Sequence, residues 1–436
     1  MTQSAPLRLA IVGLGTVGAG VIRLLEVNRA LVARRAGRPI EVVAISARDR
    51  NKDRGVDLSA YEWVDDMSTL AARADIDAVV ELIGGSDGPA LTLARQCLGL
   101  GKPFVTANKA MIAHHGLDLA HQAEKSGVAL KYEAAVAGGV PVIKGLREGA
   151  AANRIMRVYG ILNGTCNYIL STMERDGSAF ADVLEEAQAK GFAEADPSFD
   201  IDGVDAAHKL AILASLAFGT EIDFPEVDIT GIRHILAADI REAAALGYKV
   251  RLVAMAECEA EGGDNVGLFQ RVHPMLVPVD HPLAHVDGAL NAVVAEGNFV
   301  GRLFFQGAGA GEGPTASAVV ADIIDVARDE YGPAFAMPAE WLQRQVKADA
   351  GARIGRAYLR LRVQDRPGVL ADITAAMRDA HVSIESVIQR GAGSEDGVLV
   401  AVVTHPGALS CLDDLLRRLH ALDSLIDEPM LMHILD

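Results

Sequence analysis

The segment GFAEADPSFDIDGVDAAHK carries Glu194, Asp196, Asp200, Asp202, Asp205 and Lys209 within sixteen residues and runs straight into the apolar stretch LAILASLAF. Asp205 and Lys209 are four apart, which sets them on one face of a helix. A lysine oriented by carboxylates at the start of a buried helix can have its pKa tuned for proton transfer. The same residues also describe a solvated acidic loop with an i,i+4 ion pair, and on residue types alone both readings stand.

A second group could hold a phosphate. In GLGTVG, Gly13, Gly15 and Gly18 frame Leu14, Thr16 and Val17, directly after an apolar strand and ahead of a helical run. The first glycine permits the turn, the second lets backbone approach a pyrophosphate, and the third allows close packing of helix on strand. The helix N-terminus adds amide donors and partial positive charge. The next strand ends in Ser46, Ala47 and Arg48 rather than the Asp or Glu that commonly takes the ribose hydroxyls of NAD. An uncharged strand end followed by Arg48 accommodates a 2′-phosphate, so NADP(H) is the expected cofactor and NAD(H) the second choice. A solvated surface arginine is the plain alternative for Arg48.

Two further loops follow strands: GGSDG, with Gly84 and Gly85, and TANK, with Thr106, Asn108 and Lys109. Beyond strand C-termini is where a doubly wound sheet binds ligands. Lys109 there is a proton donor, an anion partner or an ordinary surface lysine. NGTCN places Asn163, Gly164, Thr165 and Cys166 where they either cap a helix or line a polar pocket. His114, His115 and His121 lack a metal-ligand companion set and read as surface or packing residues.

These side chains need elements to position them. Strands at 7–13, 41–46, 77–84, 102–108 and 128–136 alternate with helical segments at 15–35, 68–74, 89–101 and 114–127, which predicts a Rossmann-type, doubly wound parallel sheet over residues 1–140. From 141 to 305 the pattern is α+β, with strands at 155–162, 249–259, 267–278 and 299–307 and helices at 167–177, 180–192 and 203–219, the last apolar all round. A glycine loop then opens a helix within 306–340, and 341–356 reads as a linker. Residues 357–436 follow strand, helix, strand, strand, helix, strand, the ferredoxin-like βαββαβ order. The overall expectation is α/β.

Half of the 436 residues are hydrophobic and 23% are charged, which excludes a disordered chain. The net charge of −17 repels phosphate backbones and anionic lipid, so neither nucleic acid nor a membrane surface is an expected partner. Residues 9–22 could pass for a signal-peptide core, but Arg8, Arg23 and four glycines make them a buried strand and a turn. Cys97, Cys166, Cys258 and Cys411 are too dispersed for a C-x-x-C pair, and a reduced, cytoplasmic protein is expected.

Taken together, GFAEADPSFDIDGVDAAHK, YEAAVAGGVPVI, TANKA, ILNGTCNYIL and GAGAGEGPTASAV resemble homoserine dehydrogenase in its form with a C-terminal ACT domain, over nearly the whole chain. Cys166 departs from the pattern, since many members have Thr there. The resemblance implies reversible NAD(P)H-dependent reduction of L-aspartate 4-semialdehyde to L-homoserine, a step in threonine, methionine and isoleucine biosynthesis. It makes Lys209 and Lys109 catalytic, lets Asp205 orient Lys209, and gives Glu194, Asn163, Gly164, Thr165 and Asp200 to the substrate, with Glu194 on its ammonium group. Gly309 and Glu312 join the glycine turn and the two loops in cofactor binding. Glu133, Val136, Gly138 and Val140 become a loop for a monovalent cation such as sodium, mainly through backbone carbonyls. Residues 141–305 also serve dimerisation, giving a homodimer or homotetramer, and 357–436 become a regulatory module in which Asp365 and Gly368 contact a small amino acid such as threonine. Two rivals stand beside this reading: another Rossmann dehydrogenase, for which an aspartate-semialdehyde dehydrogenase would need an activated cysteine, and a non-catalytic amino-acid sensor.

Overall fold

The computed structural model describes residues 5–259, 266–391 and 397–436. Apart from half-buried Arg8, Leu7–Val12 (β1) is apolar and buried on both faces, the pattern of a strand covered above and below. It lies within a six-stranded parallel sheet with β2 (Ile40–Ser46), β3 (Glu62–Trp63), β4 (Ala78–Glu81), β5 (Phe104–Thr106) and β6 (Leu130–Lys131), in the order β3-β2-β1-β4-β5-β6. The strand order reverses between β1 and β4, so the crevice beyond their carboxyl ends is the expected ligand position. The helices of this unit are α1 (Thr16–Val27), α2 (Arg29–Ala36), α3 (Pro89–Gly99) and α4 (Lys109–Ser126). The stretch 15–35, expected as one helix, is two, because Asn28 leaves helical geometry (φ −101°, ψ 16°) and serves as the boundary of both. Asparagine competes for backbone hydrogen bonds and favours such breaks.

Beyond Pro141 come α5 (Val142–Lys144), β7 (Ile155–Ile161), α6 (Gly164–Asp176), α7 (Phe180–Ala189), α8 (Ser198–Ile201), α9 (Val204–Phe218), β8 (Asp228–Ile229) and α10 (Ala237–Ala245). The chain continues through β9 (Tyr248–Glu259), β10 (Val266–Pro278), β11 (Leu290–Gly297), β12 (Gly301–Ala308) and α11 (Glu312–Ala327). Five of these, α5, α8, β8, α10 and β11, go beyond the elements expected from the sequence; the apolar core of β11 is too short for its period to declare itself. Every residue of α9 from Asp205 to Leu216 is buried. α11 returns to the nucleotide unit, where Ala316, Val319, Val320 and Ile323 share a core with Val21, Ile22 and Leu25 of α1.

The C-terminal stretch holds β13 (Gln345–Lys347), β14 (Ile354–Gly355), β15 (Ala357–Val363), α12 (Val369–Asp379), β16 (Ile384–Arg390), β17 (Val398–Thr404), β18 (Gly407–Ala408), α13 (Leu409–His420) and β19 (Met430–Ile434). Its βαββαβ strands are continuous with the middle sheet: one eleven-stranded sheet includes the path β12-β11-β7-β9-β10-β19-β15-β17-β16. The join is short and parallel, Met275 opposite His433 and Leu276 opposite Ile434. A buried ion pair, Arg360 Nε to Asp239 at 2.6 Å, ties β15 to α10. The 341–356 segment is held along the way, by β13 on β10 and β14 on β18. Among the described residues no helix is long and apolar enough to cross a membrane.

Candidate active site

The glycine turn joins β1 to α1. Gly13 has φ +97°, and a Cβ on it would press on the Leu82 carbonyl at the end of β4. A Cβ on Gly18 would collide with the Gly13 carbonyl, so the close return of helix on turn requires glycine there. A neighbouring network fixes the other two loops. Glu81, fully buried, accepts the Ile83 and Gly84 amides on Oε1 at 2.6 and 3.1 Å and the Thr106 hydroxyl on Oε2 at 2.5 Å. Thr106 Oγ1 accepts the Asn108 amide at 2.9 Å, and Asn108 Nδ2 donates to the Gly85 carbonyl at 2.7 Å. Asn108 Oδ1 caps α4 through the Met111 amide at 3.1 Å, which sets Lys109 in the first turn. Gly84, Gly85, Thr106 and Asn108 are therefore brought together by a residue absent from the sequence reading. The available signal was a lone carboxylate inside an apolar strand.

Lys109 meets the acidic segment across a cavity of about 510 Å³, lined also by Val17 of the glycine turn, Asn163, Thr165, Asp200, Asp205 and Lys209. Asp205 takes Lys109 Nζ on Oδ1 at 2.9 Å and Lys209 Nζ on Oδ2 at 2.7 Å. Lys209 also donates to the Leu162 carbonyl at 2.7 Å. Asn163 Nδ2 donates to Asp205 Oδ2 and Asp200 Oδ1, both at 2.8 Å, while its Oδ1 caps α6 through the Cys166 amide. Asn163 therefore caps α6 and, with Gly164 and Thr165, also lines the cavity, whereas Cys166 does not. Thr165 Oγ1 lies 3.3 Å from Asp200 Oδ2.

The shared carboxylate treats its lysines unequally. Burial lowers the Lys209 pKa, and Asp205 offsets this only in part. Burial acts on Lys109 too, but there the charge of Asp205 prevails and the pKa is raised. Asp205 itself, despite burial, is held well below the usual carboxylate range by Lys209 and Lys109. Burial and the adjacent Asp205 raise the Asp200 carboxyl. Cys166 lies against this cluster, its thiol pushed far up by burial and Asp200, so it is held protonated. That is the opposite of what a nucleophilic cysteine needs. An acid, a base and anion-binding cations converge here without a thiolate.

Other expected residues lie farther out. Glu194 is exposed and outside the lining, though its charge reaches Lys109. Arg48 is exposed just after β2. Near it, Arg54 Nε donates to the Leu14 carbonyl at 2.8 Å, and the Arg50 and Arg54 guanidiniums lie over the Trp63 ring; the sequence reading missed these two arginines. Gly309 lines the cavity, whereas Glu312 faces α1 in an ion pair with Arg23. In the 133–140 loop the Glu133 carboxylate caps α5 through the Ile143 and Lys144 amides at 3.0 and 2.9 Å. Val136 and Gly138 are buried, and among the described residues no donor reaches their carbonyls. Val140's carbonyl accepts the Val142 amide at 2.7 Å. These two carbonyls of buried residues, with Gly138 lining the cavity, fit a hard cation, since oxygen ligands suit one. Asp365 and Gly368 are exposed at the start of α12, with Gly368 as its N-cap.

Comparison with known proteins agrees along the chain. Residues 13–133 match the family described as "Homoserine dehydrogenase, NAD binding domain", 141–324 the family "Homoserine dehydrogenase", and 357–423 the ACT domain. The homoserine dehydrogenase of Pseudomonas aeruginosa is 44% identical over 425 residues, covering 96% of both chains. The crystal structure of a homoserine dehydrogenase from Thiobacillus denitrificans superposes with a TM-score of 0.92 at 41% identity, covering 100% of both chains. A hyperthermophilic archaeal homoserine dehydrogenase in complex with NADPH matches with a TM-score of 0.63 at 28% identity, covering 76% of this chain and 100% of that one.

Proposed function

Because the chain belongs to the homoserine dehydrogenase family, we propose that it reduces L-aspartate 4-semialdehyde to L-homoserine, reversibly and with NADPH in preference to NADH, in threonine, methionine and isoleucine biosynthesis. One observation carries the reading: Lys109 and Lys209 share Asp205 in a cavity that the glycine turn also lines. When bound, a reduced nicotinamide supplies hydride for the carbonyl carbon. The protein must then hold the aldehyde and give a proton to the nascent alkoxide.

Lys209 is the proton donor of this proposal. Its lowered pKa brings it closer to the working pH, where general acids act best. Lys109, with its raised pKa, stays cationic and stabilises the developing negative charge. Asp205 keeps both ammonium groups in place, and Asn163 holds Asp205 against Asp200. Asp200, Thr165 and the nearby Glu194 offer acceptors to the substrate's own ammonium group. In the reverse direction, neutral Lys209 takes the hydroxyl proton back.

Support for NADPH is the absence of an acid in Ser46–Ala47–Arg48 and the NADPH complex of the archaeal relative. The carbonyls of Val136 and Gly138, with those of Glu133 and Val140, would hold a monovalent cation, sodium by expectation, whose charge would fix the 133–140 loop. The ACT module receives threonine, the protein works as a homodimer or homotetramer, and it acts in the cytoplasm. The test is direct: purified protein is mixed with NADPH and aspartate semialdehyde, and both NADPH loss and homoserine are quantified. Equimolar loss and formation are expected. No aldehyde-dependent NADPH loss overturns the reading and leaves the amino-acid sensor.

A further inference from the structure

A second cavity, of about 220 Å³, opens where β7, β9, β10 and β19 meet residues 353–356, and it shares no lining residue with the catalytic cavity. Four guanidinium groups line it, those of Arg157, Arg271, Arg353 and Arg356, against the carboxylates of Glu257 and Asp436. Three of the four are engaged. Arg157 Nε is 2.8 Å from Glu257 and its Nη1 donates to the Asp436 carbonyl at 3.0 Å. Arg353 reaches the same Glu257, and Arg356 pairs with Glu385.

Arg271 is different. It is only 8% exposed, its Nε is buried without a partner, and among the described residues its guanidinium makes no hydrogen bond or ion pair. Asp228, opposite it on β8, gives its carboxylate to His273 at 3.0 Å instead. The Arg271 and Arg353 guanidinium carbons lie 4.9 and 4.3 Å from the centroid of one ring, Phe269, which both cations therefore pack against. His433 lines the same cavity with its Nδ1 buried and unpartnered, and burial together with Arg271 holds its ring neutral. The charges of Asp228 and Asp436 offset the burial of Arg271 only in part, among the described residues no carboxylate reaches its fork directly, and a planar guanidinium matches a carboxylate or a phosphate.

We propose that this cavity is a binding site for a small oxyanion, carboxylate or phosphate, with Arg271 as its main partner and Arg353 and His433 beside it. The site joins the catalytic sheet to the C-terminal module, since β10 and β19 both contribute to its walls. Isothermal titration of the full chain tests it, with inorganic phosphate in one arm and acetate in the other, each against chloride at matched ionic strength. Wild type takes up one equivalent per chain that Arg271→Met does not. Anion sites elsewhere, such as the glycine turn, are common to both proteins and cancel. The arm that shows the difference identifies the oxyanion. Should Arg271→Met fail to fold, Arg271→Lys keeps the charge, loses the fork, and is expected to weaken binding about tenfold. Equal uptake by wild type and variant, or no uptake of either anion, overturns the proposal.

Discussion

At the residue scale, the site turns on how one carboxylate divides itself between two ammonium groups. Lys209 is buried and donates to both Asp205 and the Leu162 carbonyl, while the Lys109 side chain keeps 34% of its exposure. Burial weakens the hold of Lys209 on its proton, and Asp205 is the main influence restoring it. With Lys209 as the proposed proton donor, aldehyde reduction would need its protonated form, so the rate is expected to fall as pH rises through that group's pKa. Homoserine oxidation, which needs the neutral form, should rise over the same range. Asp205→Asn removes the restoring charge, so the fall in reduction should move to lower pH in a profile of kcat/KM. An unmoved profile would separate Lys209 from the titrating step. Arg48→Ala should raise KM for NADPH and leave that for NADH almost unchanged, because only NADPH carries the 2′-phosphate. Equal effects on both would make Arg48 a surface residue. Spacing made Asp205 and Lys209 legible as a pair on one helix face, whereas Lys109 read equally as a surface lysine until the family resemblance gave it a role. The hydrogen bonds the three share were not legible, since Lys109 and Asp205 stand far apart in the chain.

At the element scale, loop geometry depends on groups that sequence patterns pass over. Glu81 accepts from three donors and so binds the loop after β4 to the loop after β5. Glu81→Gln replaces one acceptor oxygen by a donor and leaves the Thr106 proton without its partner. The expected result is a higher KM for cofactor with a near-normal melting temperature; an unchanged KM would show that the loops hold without it. Asp239 and Arg360 join α10 to the C-terminal module, Asp239 with no exposed surface and Arg360 with 7%. Breaking such a buried pair by Asp239→Ala should cost ~3–5 kcal/mol in denaturant unfolding. A loss under about 1 kcal/mol, the size of a surface pair, would contradict the burial argument. Helix and strand periods made most elements readable, including the alternation around the parallel sheet. β11 and the break at Asn28 escaped, one through a short apolar run and the other through a single residue inside a helical pattern.

At the scale of the whole molecule, a module read from its own βαββαβ pattern turns out to share a sheet with the catalytic region through β10 and β19. Two residue pairs on distant strands make that join, and no local pattern encodes it. A ligand at the start of α12 would sit where the chain leaves β15, a strand of the sheet that also contains β10. Threonine is expected to release heat on binding and to lower activity, with both effects lost in Asp365→Ala. A point change is the cleaner comparison, since removing β19 would bare the edge of β10. No heat and no change in rate would leave the module structural. Lys209 is proposed to deliver the proton in a site where the cofactor binds independently of it. The most direct test compares Lys209→Ala with wild type for NADPH binding and for turnover of aspartate semialdehyde in the same preparation. Cofactor affinity is expected to stay within a few-fold of wild type while kcat falls ~10²–10⁴-fold; turnover within a few-fold of wild type would remove Lys209 from the proton-transfer step.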